Sequence, residues 1–237
     1  MKMSNLKRKI NIDKKNYRRT GVFCFMTNEE YSLVCNAMQC MVYDKKCVLY
    51  SENSYLPGIY VVLEGIVKQV KYRHPKRPYI LNLVTSSEVL GFRSVMTNEM
   101  ACTTTEVVKE ATVMLIPKGV FMKILMSNSY LFKYLMGEAC RELNNTQNLI
   151  LDVTQKNIRA RTAQTLIQLK QKFAVACDDS LQIQLSRDEF ASVVGTVPET
   201  ITRVFSEFKK DHLIEVERRY IKLLDVSQLV RIGETCM

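Results

Sequence analysis

Residues 186 to 203 read Ser-Arg-Asp-Glu-Phe-Ala-Ser-Val-Val-Gly-Thr-Val-Pro-Glu-Thr-Ile-Thr-Arg, and this stretch decides the fold of the C-terminal part of the chain. Ser186 is a favoured helix N-cap, and Glu189 follows three residues later, where a capping box requires it. Gly195 supplies the break at which this helix ends, because glycine adopts the left-handed conformation of a sharp turn. Pro198 is tolerated in the first turn of a following helix. The stretch therefore predicts a helix-turn-helix.

The second helix of this pair separates apolar from polar residues. Its apolar positions recur at helical spacing and predict a buried face, formed by Ile201, Val204, Phe205 and Phe208. The opposite side then presents four polar residues: Glu199, Thr200, Thr202 and Arg203. In a DNA major groove, Glu accepts a hydrogen bond from cytosine N4, and Arg donates two to guanine. Because Glu199 and Arg203 are four residues apart, an exposed ion pair between them is the alternative interpretation.

The segment that follows predicts a β-hairpin. Residues 214–224 read Ile-Glu-Val-Glu-Arg-Arg-Tyr-Ile-Lys-Leu-Leu, with Arg218 and Arg219 at the tip. A helix-turn-helix followed by such a hairpin is a winged helix, whose wing commonly contacts the DNA backbone. Upstream, residues 159–173 show helical spacing, and the alternation over 181–185 predicts a short strand.

The N-terminal half has the pattern of an antiparallel β-structure. From about residue 48 to 117, short runs rich in Val, Ile, Leu, Tyr and Thr alternate with turn-forming residues. Short strands at this spacing indicate a barrel or sandwich. Glu64-Gly65 separates two such runs, 59–63 and 66–70, and predicts a strand pair around a tight turn.

Residues 128–156 predict one long helix, because they contain no Pro and a single Gly. A helix of this length cannot easily bury a whole apolar stripe against one small barrel. Pairing with the same helix of a second copy, in a two-fold homodimer, is the economical arrangement. The alternative is a helix packed wholly inside its own chain. Steps of three or four residues define the stripe: Leu131, Leu135, Ala139, Leu143, Thr146, Ile150 and Val153.

Composition sets the protein class. The 237 residues are 47% hydrophobic, which is enough for two domain cores. The N-terminus lacks a secretory signal, and no window approaches the roughly 18 apolar residues that cross a bilayer. We therefore expect a soluble cytoplasmic protein with no membrane partner. The net charge of +10 fits a polyanionic partner, but the excess lies in a basic arm, residues 1–20, which hold eight Lys and Arg against one Asp. A frayed, solvated terminus is the first interpretation of this arm, and a non-specific phosphate contact is the alternative.

A family resemblance follows from these motifs. Residues 187–203 closely resemble the DNA-binding signature of the Crp/Fnr superfamily of transcriptional regulators, and the match extends through Phe205-Ser-Glu-Phe-Lys209 and Leu213-Ile214. Arg161-Thr-Ala-Gln-Thr-Leu166 is similar to the segment after the dimerisation helix of that family, and Tyr60-Val-Val-Leu-Glu-Gly65 to a strand of its sensor barrel. The resemblance implies an α+β fold. Its parts are a jelly-roll, cupin-like antiparallel β-barrel over 21–127, a dimerisation helix over 128–156 and a winged helix over 157–237.

The resemblance also implies partners and roles. Double-stranded DNA and RNA polymerase are the expected partners, and the site is a palindrome of TTGA and TCAA half-sites about one helical turn apart. Pro198 stands where the cyclic-AMP-responsive branch has a base-reading Arg, and Thr202 where the fumarate-and-nitrate branch has a small hydroxyl residue. The base-reading residues are then Glu199, Thr202 and Arg203, and the phosphate-binding residues are Arg187, Thr196, Thr200, Arg218 and Arg219.

The sensor departs from its cyclic-nucleotide-binding relatives. Those have a Gly-Glu pair for the ribose and an Arg-Ser or Arg-Thr pair for the phosphate, whereas this chain has Gly91-Phe92 and Cys102-Thr103. Phe92 cannot hydrogen-bond a ribose, and a phosphate without its Arg loses a charge-assisted contact. Cyclic AMP and cyclic GMP are therefore not expected. Arg93 is the nearest substitute, although an exposed loop arginine is the commoner case. The candidate effector pocket comprises Gly91, Phe92, Arg93, Cys102 and Thr103, and its ligand is unknown.

Other cofactors and activities have weaker support. A haem needs an axial ligand, and the two histidines are His74 and His212. Cys102 lies where an effector would bind, so a thiol-based redox response is one interpretation, and a buried structural cysteine is the commoner case. No metal-ligand spacing or catalytic constellation is present, so we expect no enzyme. The alternative function is a stand-alone sensor of haem, iron–sulfur or thiol type in which DNA binding is secondary. An iron–sulfur cluster would have to use widely spaced cysteines: Cys24, Cys35, Cys40 and Cys47.

Overall fold

A computed structural model of the chain describes residues 7–10, 17–74, 77–173, 180–181, 185–217 and 220–235. The chain divides into two compact units. The first, here called the sheet unit, comprises Met1–Arg73 and Ile80–Leu143, and the second, the helical unit, comprises His74–Tyr79 and Asn144–Met237. Among the described residues, no helix is both long and apolar enough to cross a membrane.

The described residues of the sheet unit form a seven-stranded sheet: β1 Lys7–Lys9, β2 Gln39–Tyr43, β3 Val48–Tyr50, β4 Gly58–His74, β5 Arg77–Val84, β6 Val89–Leu90 and β7 Thr104–Pro117. The main path runs β1-β2-β7-β4-β5, while β3 pairs with β7 and β6 pairs with β4. Within the described residues no strand pairing closes this sheet, so the predicted closed barrel is wrong, although the jelly-roll-like antiparallel architecture is confirmed. A 3-10 helix and three α-helices accompany the strands: Gly21–Phe25, α1 Asn28–Ala37, α2 Phe92–Thr97 and α3 Lys118–Ser127.

The predicted tight turn at Glu64-Gly65 is also wrong, because β4 continues through both residues as one strand. Its register against β7 shifts between Val62 and Val67. Gly65 has a φ of 91°, and a Cβ there would lie 2.2 Å from the carbonyl oxygen of Glu110. The glycine therefore makes a bulge that bends a long strand, instead of a turn that reverses the chain.

A long helix, α4, spans Ser129–Gln155, and a buried asparagine fixes its start. The Asn128 amide group donates to the carbonyl oxygen of Phe25 and to a carboxylate oxygen of Glu30, both at 2.8 Å. Its side-chain oxygen accepts from the backbone N–H of Leu131 at 2.9 Å. One side chain thus caps α4 and ties it to the 3-10 helix and to α1.

Burial on α4 changes the predicted stripe. Leu131 and Leu135 are 0% exposed and belong to the core of the sheet unit, so they cannot also face a second copy. Phe132 and Met136, each exposed by more than 40%, lie beside them on the open face. From Phe132 the steps are four and three in strict alternation, which is the heptad spacing of a coiled-coil seam. The corrected stripe comprises Phe132, Met136, Ala139, Leu143, Thr146, Ile150 and Val153.

The helical unit contains the predicted helix-turn-helix and wing. Its helices are α5 Ile158–Phe173, α6 Arg187–Val194, α7 Pro198–Lys210 and α8 Val226–Glu234. Its strands, β8 Ser180–Leu181, β9 Ile214–Glu217 and β10 Tyr220–Leu223, pair antiparallel in the order β8-β10-β9. The strand predicted over 181–185 is described at Leu181 and Leu185 alone. Helix α8, which no sequence motif predicted, packs against α5.

We expect Leu135→Ala to lower the free energy of unfolding by about 2–5 kcal/mol, because it leaves a cavity in a close-packed core. Denaturant titration followed by circular dichroism measures this. Met126→Ala is the matched control, since Met126 is 79% exposed on α3, and its loss should cost under about 0.5 kcal/mol. Equal losses for the two variants would contradict the assignment of Leu135 to the core.

Candidate nucleic-acid interface

Helix α6 begins with the predicted capping box. The Ser186 hydroxyl accepts from the backbone N–H of Glu189 at 3.2 Å, and the Ser186 N–H donates to the Glu189 carboxylate at 3.0 Å. Two backbone groups at this helix start are therefore satisfied locally. The cap sets the residue at which α6 starts.

The turn between α6 and α7 depends on Gly195. Its φ of 76° and ψ of 46° are left-handed, as predicted from the sequence. The N–H groups of Gly195 and Thr196 both donate to the carbonyl oxygen of Ala191 at 2.9 Å. Arg161 of α5 donates to the carbonyl oxygen of Val194 at 3.2 Å. The end of α6 is thus hydrogen-bonded, and the chain changes direction within three residues.

Helix α7 is held by its apolar face. Ile201, Val204, Phe205 and Phe208 are all buried, as the spacing predicted. The Phe205 ring meets Phe190 of α6 edge-on, with ring centroids 5.0 Å apart. Such aromatic pairs contribute about 0.5–1.5 kcal/mol of stability beyond that of the surface area they bury. The orientation of α7 on α6 is therefore fixed by packing.

The opposite face of α7 is open. Glu199, Thr202 and Arg203 are exposed, and the Arg203 side chain retains 75% of its accessible surface. Within residues 185–217, Arg203 approaches Glu207 at 4.0 Å and forms no ion pair with Glu199. A surface pair at that distance contributes little energy. Glu199 and Arg203 are therefore both available to a partner.

Thr202 has a more restricted chemistry than its exposure suggests. Its hydroxyl donates to the carbonyl oxygen of Pro198 at 2.9 Å, one turn back along the helix. A hydroxyl engaged in this way still offers an acceptor lone pair, and the exposed side chain also carries a methyl group. Thr202 can thus contact a thymine methyl group or accept a hydrogen bond from a base.

The predicted phosphate-binding residues have different environments. The Arg187 guanidinium lies 4.5 Å from the Phe205 ring centroid, and burial lowers the pKa of this group. Thr196 and Thr200 are half-buried near the start of α7. Arg218 and Arg219 lie outside the described residues, between Glu217 and Tyr220. Arg187 therefore packs on α7 in addition to any contact that it makes with DNA.

A support formed by Arg159 of α5 was not predicted. Its guanidinium lies 4.8 Å from the Phe208 ring centroid, and it pairs with Glu207 at 3.0 Å and with Asp211 at 2.7 Å. The acidic pair at i and i+4 near the end of α7 was the available signal. This cluster holds the C-terminal half of α7 against α5.

In the sheet unit, the predicted effector residues line a small cleft around α2. Gly91 caps the helix with a φ of 78°, Phe92 and Thr103 are buried, and Cys102 is exposed. The cleft has a volume of about 20 Å³, enough for a single water molecule. Small-molecule sites typically measure about 300–1,000 Å³. In this conformation a cyclic nucleotide does not fit.

Arg93 is exposed, as expected, but it belongs to a helix instead of a loop. It lies in the first turn of α2, where its Nε is 3.1 Å from a carboxylate oxygen of Glu142 on α4. Its Nη2 is also 3.5 Å from the sulfur of Cys102. Arg93 therefore links α2 to α4 within the sheet unit.

The candidate cofactor ligands do not gather at one place. Among the described residues, no group of three or more His, Cys, Asp or Glu side chains is arranged to hold a metal ion. Cys40 and Cys47 are buried, whereas Cys24 is exposed. His212 is exposed, and the side chain of His74 lies outside the described part of the chain.

Models of known protein families match a part of each unit. A family model described as a Crp-like helix-turn-helix domain matches residues 160–232, and one described as a cyclic nucleotide-binding domain matches residues 40–128. The chain belongs to the Crp/Fnr superfamily. It is accordingly a DNA-binding transcriptional regulator and not an enzyme.

Individual Crp/Fnr proteins resemble the chain over most of its length. The transcriptional activator protein Anr of Pseudomonas protegens is 25% identical over 78% of this chain and 76% of its own. The CRP-like cAMP-activated global transcriptional regulator of Mycobacterium tuberculosis is 20% identical over 90% and 96%, respectively. The solved structure of FixK2 from Bradyrhizobium japonicum has a TM-score of 0.77 at 20% identity and covers 85% of this chain and 100% of its own.

We expect Ser186→Ala to destabilise α6 by about 1 kcal/mol, because a backbone N–H loses its acceptor. Hydrogen exchange of the α6 amides, measured on the full chain, reports this change. Ser192→Ala, inside the same helix, is the control and should leave protection unchanged or slightly raised. Equal exchange in the Ser186 variant and the parent would contradict the role of the cap.

Proposed function

We propose that this Crp/Fnr regulator binds, as a homodimer, a palindrome of TTGA and TCAA half-sites, and that its effector is not cyclic AMP. The observation that supports DNA reading is the exposed face of α7. It carries Glu199, Thr202 and Arg203 on a helix that is held from behind by Phe190 and Arg159.

Each base-reading side chain has a matching partner in this half-site. The Arg203 fork fits the O6 and N7 atoms of the guanine in TTGA. The Glu199 carboxylate accepts from N4 of a cytosine, and guanine and cytosine are paired in this half-site. Thr202, whose hydroxyl proton is held by the helix backbone, presents its methyl group to a thymine methyl group. In this proposal α7 makes hydrogen bonds to a guanine and a cytosine and an apolar contact with a thymine.

Backbone contacts position this helix without selecting sequence. We assign them to Arg187, Thr196 and Thr200, which lie around the α6–α7 turn, and to Arg218 and Arg219 in the wing. Because Arg187 also packs on Phe205, a phosphate bound there is coupled to the position of α7.

The dimer uses the corrected stripe on α4. Within one chain, Leu143, Ile150 and Val153 are 60%, 59% and 45% exposed, which is unusual for an apolar row on one helix face. Packing against the same row of a second copy removes that surface from water. The two-fold symmetry of such a dimer matches the palindrome, with recognition helices about 34–36 Å apart.

The sensor residues argue against cyclic AMP. Phe92 fills the position of the ribose-binding Glu, and Cys102-Thr103 replaces the phosphate-binding Arg pair. The cleft between them measures only about 20 Å³, and the arginine that lines it, Arg93, is already paired with Glu142, so the site disfavours a nucleotide. As a regulator of transcription, the protein acts where chromosomal DNA is, so we place it in the cytoplasm with RNA polymerase as a further partner.

We expect the parent protein to bind a TTGA/TCAA duplex selectively in a gel-shift titration. Arg203→Ala should reduce discrimination against a changed guanine by about 1–3 kcal/mol for each half-site. Arg231→Ala, which removes an exposed arginine from α8, is the charge-matched control and should bind like the parent. Equal binding of the parent to the palindrome and to a scrambled duplex would refute the proposed site.

We expect Leu143→Glu to make the protein monomeric, because it places a charge in the dimer seam. Sedimentation velocity measures the mass, and palindrome affinity should fall roughly 100-fold or more as the second half-site is no longer linked. Asn148→Glu introduces the same charge at an exposed position on the other side of α4 and should remain dimeric. A dimeric Leu143→Glu protein would show that the stripe is not the interface.

A further inference from the structure

A second, larger concavity lies beside the α2 cleft in the sheet unit. We call it the methionine groove, and it has a volume of about 420 Å³. It lies between α2, the segment that leads into β7 and the first half of α4. Its apolar lining comprises Phe92, Met96, Met100, Leu135, Met136 and Ala139.

The groove has the size and surface of a small-molecule site. Its volume is within the usual range for such sites, whereas the neighbouring cleft holds no more than a water molecule. Met100 is 47% exposed and lies outside the dimer stripe, whereas Met136 belongs to that stripe. Methionine side chains are flexible and polarizable, so they adapt to ligands of different shape.

The charges around the groove select against an anion. Its cation, Arg93, already lies 3.1 Å from the carboxylate of Glu142. The other charged lining residue is Glu99, whose carboxylate accepts a hydrogen bond from the Thr97 hydroxyl at 3.1 Å. An anionic ligand would have to compete with Glu142 for Arg93 and would also meet Glu99. An uncharged ligand neither competes with Glu142 for Arg93 nor is repelled by Glu99.

We propose that the methionine groove binds an uncharged, predominantly apolar small molecule as the effector of the sensor. This proposal rests on the proposed function, because it assigns the ligand that the regulator would detect. Met136 and Ala139 belong both to the groove and to the dimer stripe of α4. A bound ligand therefore contacts the helix that pairs the two copies, and it shifts the population of dimer states according to its preference among them.

Titration of the full-length dimer with N-phenyl-1-naphthylamine, an uncharged fluorescent probe, tests this. We expect saturable binding of about one probe per protomer. A Met96→Glu, Met100→Glu double variant should weaken binding by roughly tenfold or more, because it places charges in an apolar site. Met126→Glu, at an exposed methionine outside the groove, is the control and should bind the probe like the parent. The sulfonated analogue 1-anilinonaphthalene-8-sulfonate should bind the parent more weakly than the uncharged probe.

Several results would overturn the proposal. These are absence of saturable binding, equal weakening in the Met126→Glu control, and tighter binding of the sulfonated analogue. Binding that occurs in monomeric Leu143→Glu and not in the dimer would mean that the second copy fills the groove. A more conservative variant, Met100→Gln, controls for misfolding of the double glutamate variant. Circular dichroism checks that it is folded, and it should also bind the probe more weakly than the parent. Gel shifts on the same preparations separate the proposed DNA site from the proposed ligand site. If the parent binds the probe normally but does not bind the TTGA duplex selectively, only the proposed DNA site is contradicted.

Discussion

The contact between Phe190 and Phe205 is the interaction on which the DNA-reading surface depends. Gly195 turns the chain between the two helices, and the aromatic pair then fixes the direction of the second helix. Arg187 covers the same Phe205 ring. Because the buried face of α7 is fully used for packing, the polar residues at its other positions must point outward. A recognition surface requires this rigidity, since hydrogen bonds to base edges tolerate little displacement.

Helix α4 has a buried apolar edge and an exposed apolar row, and the Asn128 cap sets where the helix begins. By capping the helix and binding the backbone of Phe25, this residue fixes the rotation of the first turns. Leu131 and Leu135 consequently enter the core of the sheet unit, and Phe132 and Met136 remain outside. One edge of α4 therefore packs in the core of the sheet unit, and the other edge carries the exposed apolar row with heptad spacing.

Local chemistry explains which features the sequence revealed. The capping box at Ser186, the glycine turn and the apolar face of α7 are each specified within a few neighbouring residues, so they were predictable. Gly65 was not, because a glycine at positive φ serves equally in a turn or in a bulge, and the choice depends on pairing with β7, far away in the sequence. The register of the α4 stripe failed for a similar reason. Leu131 and Leu135 fit a helical period, but only their burial in the core of the sheet unit shows that this part of the stripe is internal. The support from Arg159 likewise joins residues 48 positions apart.

The two units place different demands on a shared fold. In the proposed DNA complex, the major groove is the same for every regulator of this type, and the base-reading side chains are Glu199, Thr202 and Arg203. The ligand of the sensor is not constrained in this way, and Phe92, which stands where cyclic-nucleotide-binding relatives are expected to have a ribose-binding Glu, offers no hydrogen-bonding side chain. Arg93 pairs instead with Glu142 on α4. That ion pair joins the altered sensor to the dimer helix. An effector of this protein can therefore act by changing the contact between α2 and α4, and its influence on DNA binding is bounded by the difference between its affinities for the two arrangements.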